Sequence, residues 1–108
     1  MRKDIDMGIV NFNSLDGFTN SPAVDVVGTC LQGYIHTSFD RLVDTFGQPT
    51  VSDSCDGKTR VEWRLRFSDG TIATIYDWKE SVGLESVNQW HIGGTTNQAV
   101  ENVIRSVV

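Results

Sequence analysis

The chain contains few cysteines, few prolines and no long hydrophobic run. Its 108 residues include 2 Cys, 2 Pro and 2 His, and no apolar run approaches the roughly 18 residues of a membrane-spanning helix. Cys30 and Cys55 fit no metal-ligand spacing, and without a secretion signal they predict one buried thiol and one loop thiol rather than a disulfide. We therefore expect a protein with no membrane segment, no metal and no cofactor.

Positive charge is also scarce. The chain has 9 Lys and Arg against 14 Asp and Glu, which gives a net charge of -5. A protein that grips duplex DNA through many phosphates needs a basic face, so this balance argues against a duplex nucleic-acid partner. A small anionic ligand remains compatible, because two or three Arg, Lys or backbone N–H groups can hold one phosphate whatever the net charge.

The motifs of common catalytic sites are absent from the sequence. It contains no GxSxG, HExxH, GxxxxGK[ST] or GxGxxG. His36 and His91 lie in predicted strands and can be imagined as an acid and a base, but a strand histidine is more often a half-exposed sheet residue. Asp40 and Asp44, four residues apart on a predicted helix, are typical of a solvated face. We therefore predict that the protein is not an enzyme, with a small nucleotide-processing enzyme as the weaker alternative.

The patterns that are present predict one α+β domain over residues 28–108. Residues 29–37 are a strand with Gly33 at a bulge, and Ser38 and Gly47 are the predicted caps of a short amphipathic helix. A further strand at residues 88–94 precedes a C-terminal helix. Residues 1–27 are rich in Asn, Ser and Gly and predict an irregular N-terminal arm or edge strand, with a possible short strand at residues 7–12. The expected architecture is an antiparallel sheet of about four strands with two helices packed on one face.

The sharpest local pattern is a β-hairpin. Val61–Phe67 alternates apolar and charged residues, and Asp69-Gly70 is the preferred dipeptide of a two-residue turn before a returning strand at residues 71–79. The predicted pairs are Phe67 with Ile72, Leu65 with Thr74 and Trp63 with Tyr76, all on one face. Glu62, Arg64 and Arg66 then lie on the other face, opposite Asp77, Ile75 and Ala73.

A ligand-binding surface is predicted where adjacent strands end. Aromatic rings stack on nucleobases, neighbouring polar groups can hold a phosphate, and a glycine pair before a helix exposes backbone N–H groups to an anion. The residues predicted for this surface are Arg64, Arg66, Tyr76, Asp77, Trp78, Lys79, Trp90, His91 and Gly93. The plainer alternative is a set of core aromatics, a solvated outer face and an ordinary glycine turn.

Residues 28–94 resemble a set of small proteins encoded by bacteriophages. The shared pattern is G-T-x-L-Q-G-Y, F-G-x-P, E-W, F-x-D-G-T-x-A-T-I-Y-[DN]-[YW]-K and W-H-I-G-G, which here occupies residues 28–34, 46–49, 62–63, 67–79 and 90–94. Within that set, the chain is most similar to the Thoeris anti-defence sponge family. Those phage proteins sequester cyclic ADP-ribose isomers made by bacterial TIR-domain enzymes, and some hold cyclic oligonucleotides, without cleaving them.

The resemblance implies a phage anti-defence protein that acts in the host cytoplasm. In that family an aromatic residue and an Asn ten positions later take part in the ligand site, and Phe67 and Asp77 have this spacing here, with a carboxylate in place of the amide. A folded core of about 80 residues and a tightly binding pocket both favour a homo-oligomer. The alternative function is direct inhibition of a host defence protein, as anti-CRISPR proteins do, with exposed Trp78 and Trp90 as anchors.

Overall fold

The computed structural model describes residues 17–52, 59–79 and 82–107. This part of the chain forms six β-strands, two α-helices and a short 3₁₀ helix at Leu84–Ser86. The strands are β1 Phe18–Asn20, β2 Cys30–His36, β3 Val51–Ser52, β4 Val61–Phe67, β5 Ile72–Tyr76 and β6 Gln89–Gly94, and the helices are α1 Phe39–Phe46 and α2 Gln98–Val107. Within these residues, neither helix has the length and apolar character needed to cross a membrane.

The strands form one antiparallel sheet in the order β1-β4-β5-β6-β2, and β3 pairs with β4 next to β1. The predicted α+β class with an antiparallel sheet and two helices is confirmed, but the sheet has six strands rather than about four. The two extra strands are short: β1 lies in the predicted arm and β3 in the predicted loop. The predicted strand at residues 7–12 lies outside the described residues.

Both helices pack on one face of the sheet and cover the hydrophobic core. The buried apolar side chains of the sheet include Val61, Trp63, Leu65, Phe67, Ala73, Ile75, Trp90 and Ile92, and the helices add Leu42, Phe46, Ala99, Val103 and Val107. Trp63 and Trp90 meet edge to face, with ring centroids 5.6 Å apart. Burial of this apolar area, at roughly 25 cal/mol per Å², is the main term that holds the two layers together.

Helix α1 begins and ends at the predicted caps. The Ser38 hydroxyl accepts a hydrogen bond from the Arg41 N–H, and Gly47 ends the helix at a φ of 90°. The predicted irregularity at Gly33 is also confirmed, because the pairing of β2 with β6 shifts register between Leu31 and Gly33. Cys30 is exposed in β2 and therefore is not the expected buried thiol; Cys55 lies outside the described residues.

The β4–β5 hairpin differs from the prediction by one residue. Its loop holds three residues, Ser68, Asp69 and Gly70, because the Phe67 N–H donates to the Thr71 carbonyl. The Gly70 N–H donates back to the Phe67 carbonyl, and Gly70 has a φ of 90°. This is a type I turn followed by a glycine at positive φ, which inserts one residue more than a two-residue turn does.

The extra loop residue reverses the two faces of β5. Trp63 pairs with Ile75 and Glu62 with Tyr76, so the predicted pairing of Trp63 with Tyr76 is wrong. Successive side chains of a strand point to opposite faces, and a shift of one residue therefore exchanges the two sets. Ile75 enters the core, and Tyr76 joins Glu62 on the side of the sheet away from the helices.

Candidate functional site

The side of the sheet opposite the two helices, called the open face below, carries a mixed set of polar and aromatic side chains. Strand alternation and the observed register assign residues from four strands to it. They are Glu62, Arg64 and Arg66 of β4, Ile72, Thr74 and Tyr76 of β5, His91 and Gly93 of β6, and Tyr34 of β2. This face therefore collects five of the ten residues predicted to bind a ligand, although in a different register from the predicted one.

Four aromatic rings on this face, Tyr34, Tyr76, Trp78 and His91, form one connected group called the aromatic cluster. The His91 ring centroid lies 5.0 Å from that of Tyr34, 5.3 Å from that of Tyr76 and 6.2 Å from that of Trp78. Trp78 is 37% exposed and Tyr34 is 45% exposed. Exposed rings fixed by one another offer flat surfaces on which a planar ligand can stack.

A shallow cavity of ≈ 240 Å³ lies beside the aromatic cluster. It is lined by Thr29, Cys30, Thr59, Glu62, Thr74, Tyr76, Trp78 and Gly93. At Gly93, an added Cβ would stand 2.5 Å from the Thr74 hydroxyl oxygen, so only glycine fits here without a shift of its neighbours. The cavity thus combines an aromatic wall with hydroxyl groups and one carboxylate, which is a lining suited to a polar ligand with a planar part.

The Tyr76 hydroxyl is held in its protonated form. Burial raises the pKa of Tyr76 above its usual value of 10.0, and the negative charge of Glu62 raises it further. The neutral phenol is therefore stable at neutral pH and can donate a hydrogen bond to a ligand oxygen. Removal of its proton would place a second negative charge beside Glu62.

Positive groups lie on two sides of the aromatic cluster. Arg64 and Arg66 follow Glu62 along β4, and Arg64 Nε lies 3.6 Å from a Glu62 carboxylate oxygen, which is too long for a hydrogen bond. Among the described residues, the buried Arg64 Nε has no hydrogen-bond partner. On the opposite side, Lys79 Nζ stands 5.6 Å from the centre of the Trp78 ring. Arg64 pairs with Thr74 of the cavity wall, whereas Arg66 pairs with Ile72, four residues and therefore about 13 Å along β5 from Tyr76. A ligand that stacks on the cluster would thus have Lys79 on one side and Arg64 as the nearer arginine on the other.

Two residues predicted for the site lie in the core instead. Trp90 is fully buried between Phe39 and Trp63, and its indole N–H donates to the Thr37 carbonyl. The expectation of an exposed Trp90 is therefore wrong. Phe67 is 5% exposed and packs near Phe18, so neither ring is open to a ligand. Both residues point to the helices because they belong to the alternating sets that fill the core.

Gly93 is buried inside β6 and pairs with Leu31 and Thr74, so the expected glycine turn with N–H groups exposed to an anion is wrong. Asp77 is a further predicted site residue that is closed to solvent. Its side chain is fully buried, and one carboxylate oxygen accepts hydrogen bonds from the backbone N–H groups of Arg60 and Val61 at 2.9 and 3.1 Å. The other oxygen accepts from Arg60 Nε at 2.8 Å. The structure therefore places Asp77 in a clamp between the end of β5 and the start of β4, and we call this arrangement the Asp77 clamp.

Tyr34, Thr74 and Glu62 belong to the open face but were not among the predicted site residues. Thr74 joins the face of Arg64 only in the register set by the three-residue turn, whereas Glu62 shares the face of Arg64 in either register and becomes the partner of Tyr76 in the observed one. Tyr34 stands across from His91, so its place depends on the pairing of β2 with β6. The alternation along Val61–Phe67, combined with a three-residue glycine turn, is the signal that would have identified Glu62 and Thr74.

The described residues contain no group of three or more His, Cys, Asp or Glu side chains that could hold a metal ion. Comparison of the chain with protein-family models, with curated proteins and with solved structures gives no match. The geometry of the open face is therefore the basis on which a function is argued below.

Proposed function

We propose that the protein binds and sequesters a small nucleotide on its open face without cleaving it. The observation that carries this proposal is the aromatic cluster beside the cavity, with Lys79 over the Trp78 ring and Arg64 paired with Thr74 of the cavity wall. Stacking of a base on an aromatic side chain contributes about 1–3 kcal/mol, and a charge-assisted hydrogen bond to a phosphate is about twice as strong as a neutral one. These are the two kinds of contact that a nucleotide offers.

The class of nucleotide is suggested by the sequence resemblance to the Thoeris anti-defence sponges. On that basis the proposed ligand is a cyclic ADP-ribose isomer, and the proposed role is phage evasion of a host defence signal in the host cytoplasm. A cavity of ≈ 240 Å³ on one chain is shallow for such a ligand. Tight sequestration buries most of a ligand's surface, so the proposal includes a homo-oligomer in which a second copy covers the bound nucleotide.

The second candidate function is direct binding of a host defence protein. It is favoured by the exposure of Trp78 and Tyr34, because aromatic side chains that are partly exposed on a free surface often become the anchors of a protein interface. The two functions differ in what stabilises the isolated protein. A nucleotide sponge is stabilised by a small molecule alone, whereas a protein inhibitor is not.

Thermal unfolding with candidate ligands tests the proposal. The purified protein is mixed with cyclic ADP-ribose isomers and with cyclic di- and trinucleotides, and the melting temperature is followed. A ligand at 100 times its Kd stabilises the folded state by about 2.7 kcal/mol, which corresponds to a rise of roughly 10–20 °C for a domain of this size. The complex is then denatured by heat and the released ligand is analysed. Intact nucleotide supports a sponge, altered nucleotide indicates an enzyme, and no shift with any ligand overturns the nucleotide proposal.

Substitutions on the two faces of the molecule locate the site. Trp78→Ala and Arg64→Ala should each weaken nucleotide binding about fivefold or more, since each removes a contact worth about 1 kcal/mol or more. Arg105→Ala is the matched control, because Arg105 is an exposed cation on α2, a helix of the opposite face. If both open-face variants bind as tightly as the control, the ligand site lies elsewhere.

A further inference from the structure

Strand β2 forms an edge of the sheet, and beyond its irregularity at Gly33 the regular stretch of residues 34–36 is protected by neither a proline nor an Asp, Glu, Lys or Arg side chain. Within the described residues its partner is β6, while β1 occupies the opposite edge. The seven residues of Cys30–His36, CLQGYIH, contain no proline, Lys, Arg, Asp or Glu. Natural sheets commonly protect exposed edges with charges or prolines, since an unpaired edge is a template for another strand. As far as residues 17–52, 59–79 and 82–107 show, this edge is therefore open to a strand from a partner.

The register shows which backbone groups of β2 point outward. The Thr37 N–H donates to the Asn88 carbonyl, so these two residues form a hydrogen-bonded pair. Hydrogen-bonded and non-hydrogen-bonded pairs alternate along antiparallel strands, which makes Ile35 a member of the first kind and places Tyr34 and His36 in the second. The N–H and C=O groups of Tyr34 and His36 therefore face away from β6, toward the edge.

A groove of ≈ 500 Å³ runs beside these outward groups on the helix side of the sheet. It is lined by Tyr34, Ile35, His36, Thr37, Arg41, Ile104 and Val107. Ile104 is an exposed apolar side chain of α2, and Val107 lies one turn further on. A Nη atom of Arg41 donates to the Val107 carbonyl at 3.3 Å, which fixes the guanidinium over the end of α2. The groove thus has an apolar floor and a permanent positive charge.

We propose that the β2 edge and this groove bind an extended, acidic peptide segment of a partner protein. The segment adds as a strand through the backbone groups of Tyr34 and His36, seats an apolar side chain against Ile104, and places a carboxylate against Arg41. Main-chain bonds supply affinity in this mode of recognition, and the flanking groove supplies specificity. This surface shares Tyr34 with the aromatic cluster but shares none of the residues that line the cavity of the open face, and the proposal does not depend on nucleotide binding.

The charge of the groove selects a peptide over a second copy of the chain. Two copies that paired through β2 would each present CLQGYIH to the other, and this strand carries no carboxylate to meet Arg41. The guanidinium has permanent charge and five N–H donors in a planar fork that matches a carboxylate. A peptide with an Asp or Glu beside an apolar residue completes both parts of the groove, whereas the chain's own β2 completes only the apolar part.

Synthetic peptides test the proposal. The probes are labelled heptapeptides that alternate Val and Thr and carry one Asp, Asn or Lys at each position in turn, and binding is measured by fluorescence anisotropy. At least one Asp peptide should bind, with its Lys counterpart at least tenfold weaker. Arg41→Gln should remove this preference and Arg41→Glu should reverse it. Arg105→Gln, which removes an exposed arginine from the same helix pair, should leave it unchanged.

A backbone variant tests strand addition independently of charge. His36→Pro deletes the backbone N–H of residue 36, which faces the edge, and a sheet tolerates proline at such a position. The variant should bind the best peptide at least fivefold more weakly, with little change in melting temperature. If the variant does not fold, amide exchange and NMR shifts of the Tyr34 and His36 N–H groups on peptide binding give the same answer in the wild type. The proposal is overturned if no peptide binds below about 1 mM, or if the preference for Asp over Lys is the same in Arg41→Gln as in the wild type. It is also overturned if sedimentation shows a dimer that His36→Pro abolishes, since the β2 edge would then pair two copies.

Discussion

Replacement of Asp77 distinguishes a structural residue from a ligand contact. The carboxylate is fully buried and accepts three hydrogen bonds, two from the backbone N–H groups of Arg60 and Val61 and one from Arg60 Nε. The Arg60 side chain is 37% exposed and also donates to the Val82 carbonyl at 2.6 Å. Removal of the carboxylate therefore leaves donors at the start of β4 without their acceptor, and it releases one end of the Arg60 side chain.

The expected loss in the free energy of unfolding follows from these contacts. A buried donor left without its partner costs about 1–3 kcal/mol, and breaking a buried ion pair costs about 3–5 kcal/mol. Because the Arg60 guanidinium reaches water, part of the ion-pair cost is recovered. We expect Asp77→Ala to lower the free energy of unfolding by about 3–5 kcal/mol. Asp77→Asn keeps the oxygen that faces the two backbone donors and should cost only about 1–3 kcal/mol.

Urea unfolding followed by tryptophan fluorescence measures both values. Asp44→Ala is the matched control, because it removes an exposed carboxylate of α1 and should change stability by no more than about 0.5 kcal/mol. A loss below about 1 kcal/mol in Asp77→Ala would refute the Asp77 clamp as a stabilising element. Folded Asp77→Asn should bind any nucleotide ligand as tightly as the wild type. If Asp77→Asn has normal stability but no longer binds the nucleotide, Asp77 is a ligand contact instead.

Three further predictions concern the hairpin loop and its neighbours. Gly70→Ala should cost about 1 kcal/mol, seen as a lower melting temperature, because φ is 90° while no atom lies within 4 Å of the added Cβ. Gly94→Ala should cost more than Gly70→Ala in the same scan, since its Cβ would stand 2.6 Å from the Ala99 Cβ; an equal or smaller loss contradicts the packing. The Thr71 backbone N–H lowers the pKa of Asp69 from 3.8, so its stabilising contribution is present above the unfolded pKa and lost as pH falls through the folded value. The stability gap between wild type and Asp69→Asn in urea should be complete above about pH 5, narrow as the pH falls below 3.8, and close once the pH lies below the lowered pKa of Asp69.

The elements that the sequence predicts well are those set by local chemistry. The Ser38 hydroxyl and the Gly47 backbone satisfy the ends of α1 with atoms that lie a few residues away. The alternation of Val61–Phe67 separates a core side from a polar side within one strand, and it does so whatever the neighbouring strands do. Such signals need no knowledge of the tertiary structure, which is why the order of helices and long strands follows from the sequence.

The short strands β1 and β3 could not be predicted in this way. Each is too brief to show a periodic pattern, at 3 and 2 residues. They are strands because β4 offers them backbone partners: Phe18 pairs with Phe67 at one end, and Val51 pairs with Glu62 at the other. Their structure is a property of the edge of β4 and not of their own residues.

The residues of the candidate site depend on the register of the β4–β5 hairpin, which the turn sequence alone does not determine. Asp69-Gly70 fits a two-residue turn, but a type I turn with glycine at positive φ also uses these residues and takes in Ser68. In the first register Tyr76 would share the core face with Trp63, and no aromatic group of β5 would meet Arg64. In the second, Tyr76 pairs with Glu62 and neighbours His91.

The same one-residue shift explains why the aromatic residues of the predicted surface separate into two groups. Trp90 and Tyr76 lie on adjacent strands, yet Tyr76 pairs with His91, and residues 90 and 91 face opposite sides. One indole therefore fills the core, while the tyrosine and the histidine face solvent with Tyr34. A sequence pattern identifies which residues are aromatic, but the register decides which of them remain available to bind a ligand. Tyr76 and Thr74 lie on the open face because the hairpin loop contains one residue more than its Asp-Gly dipeptide requires.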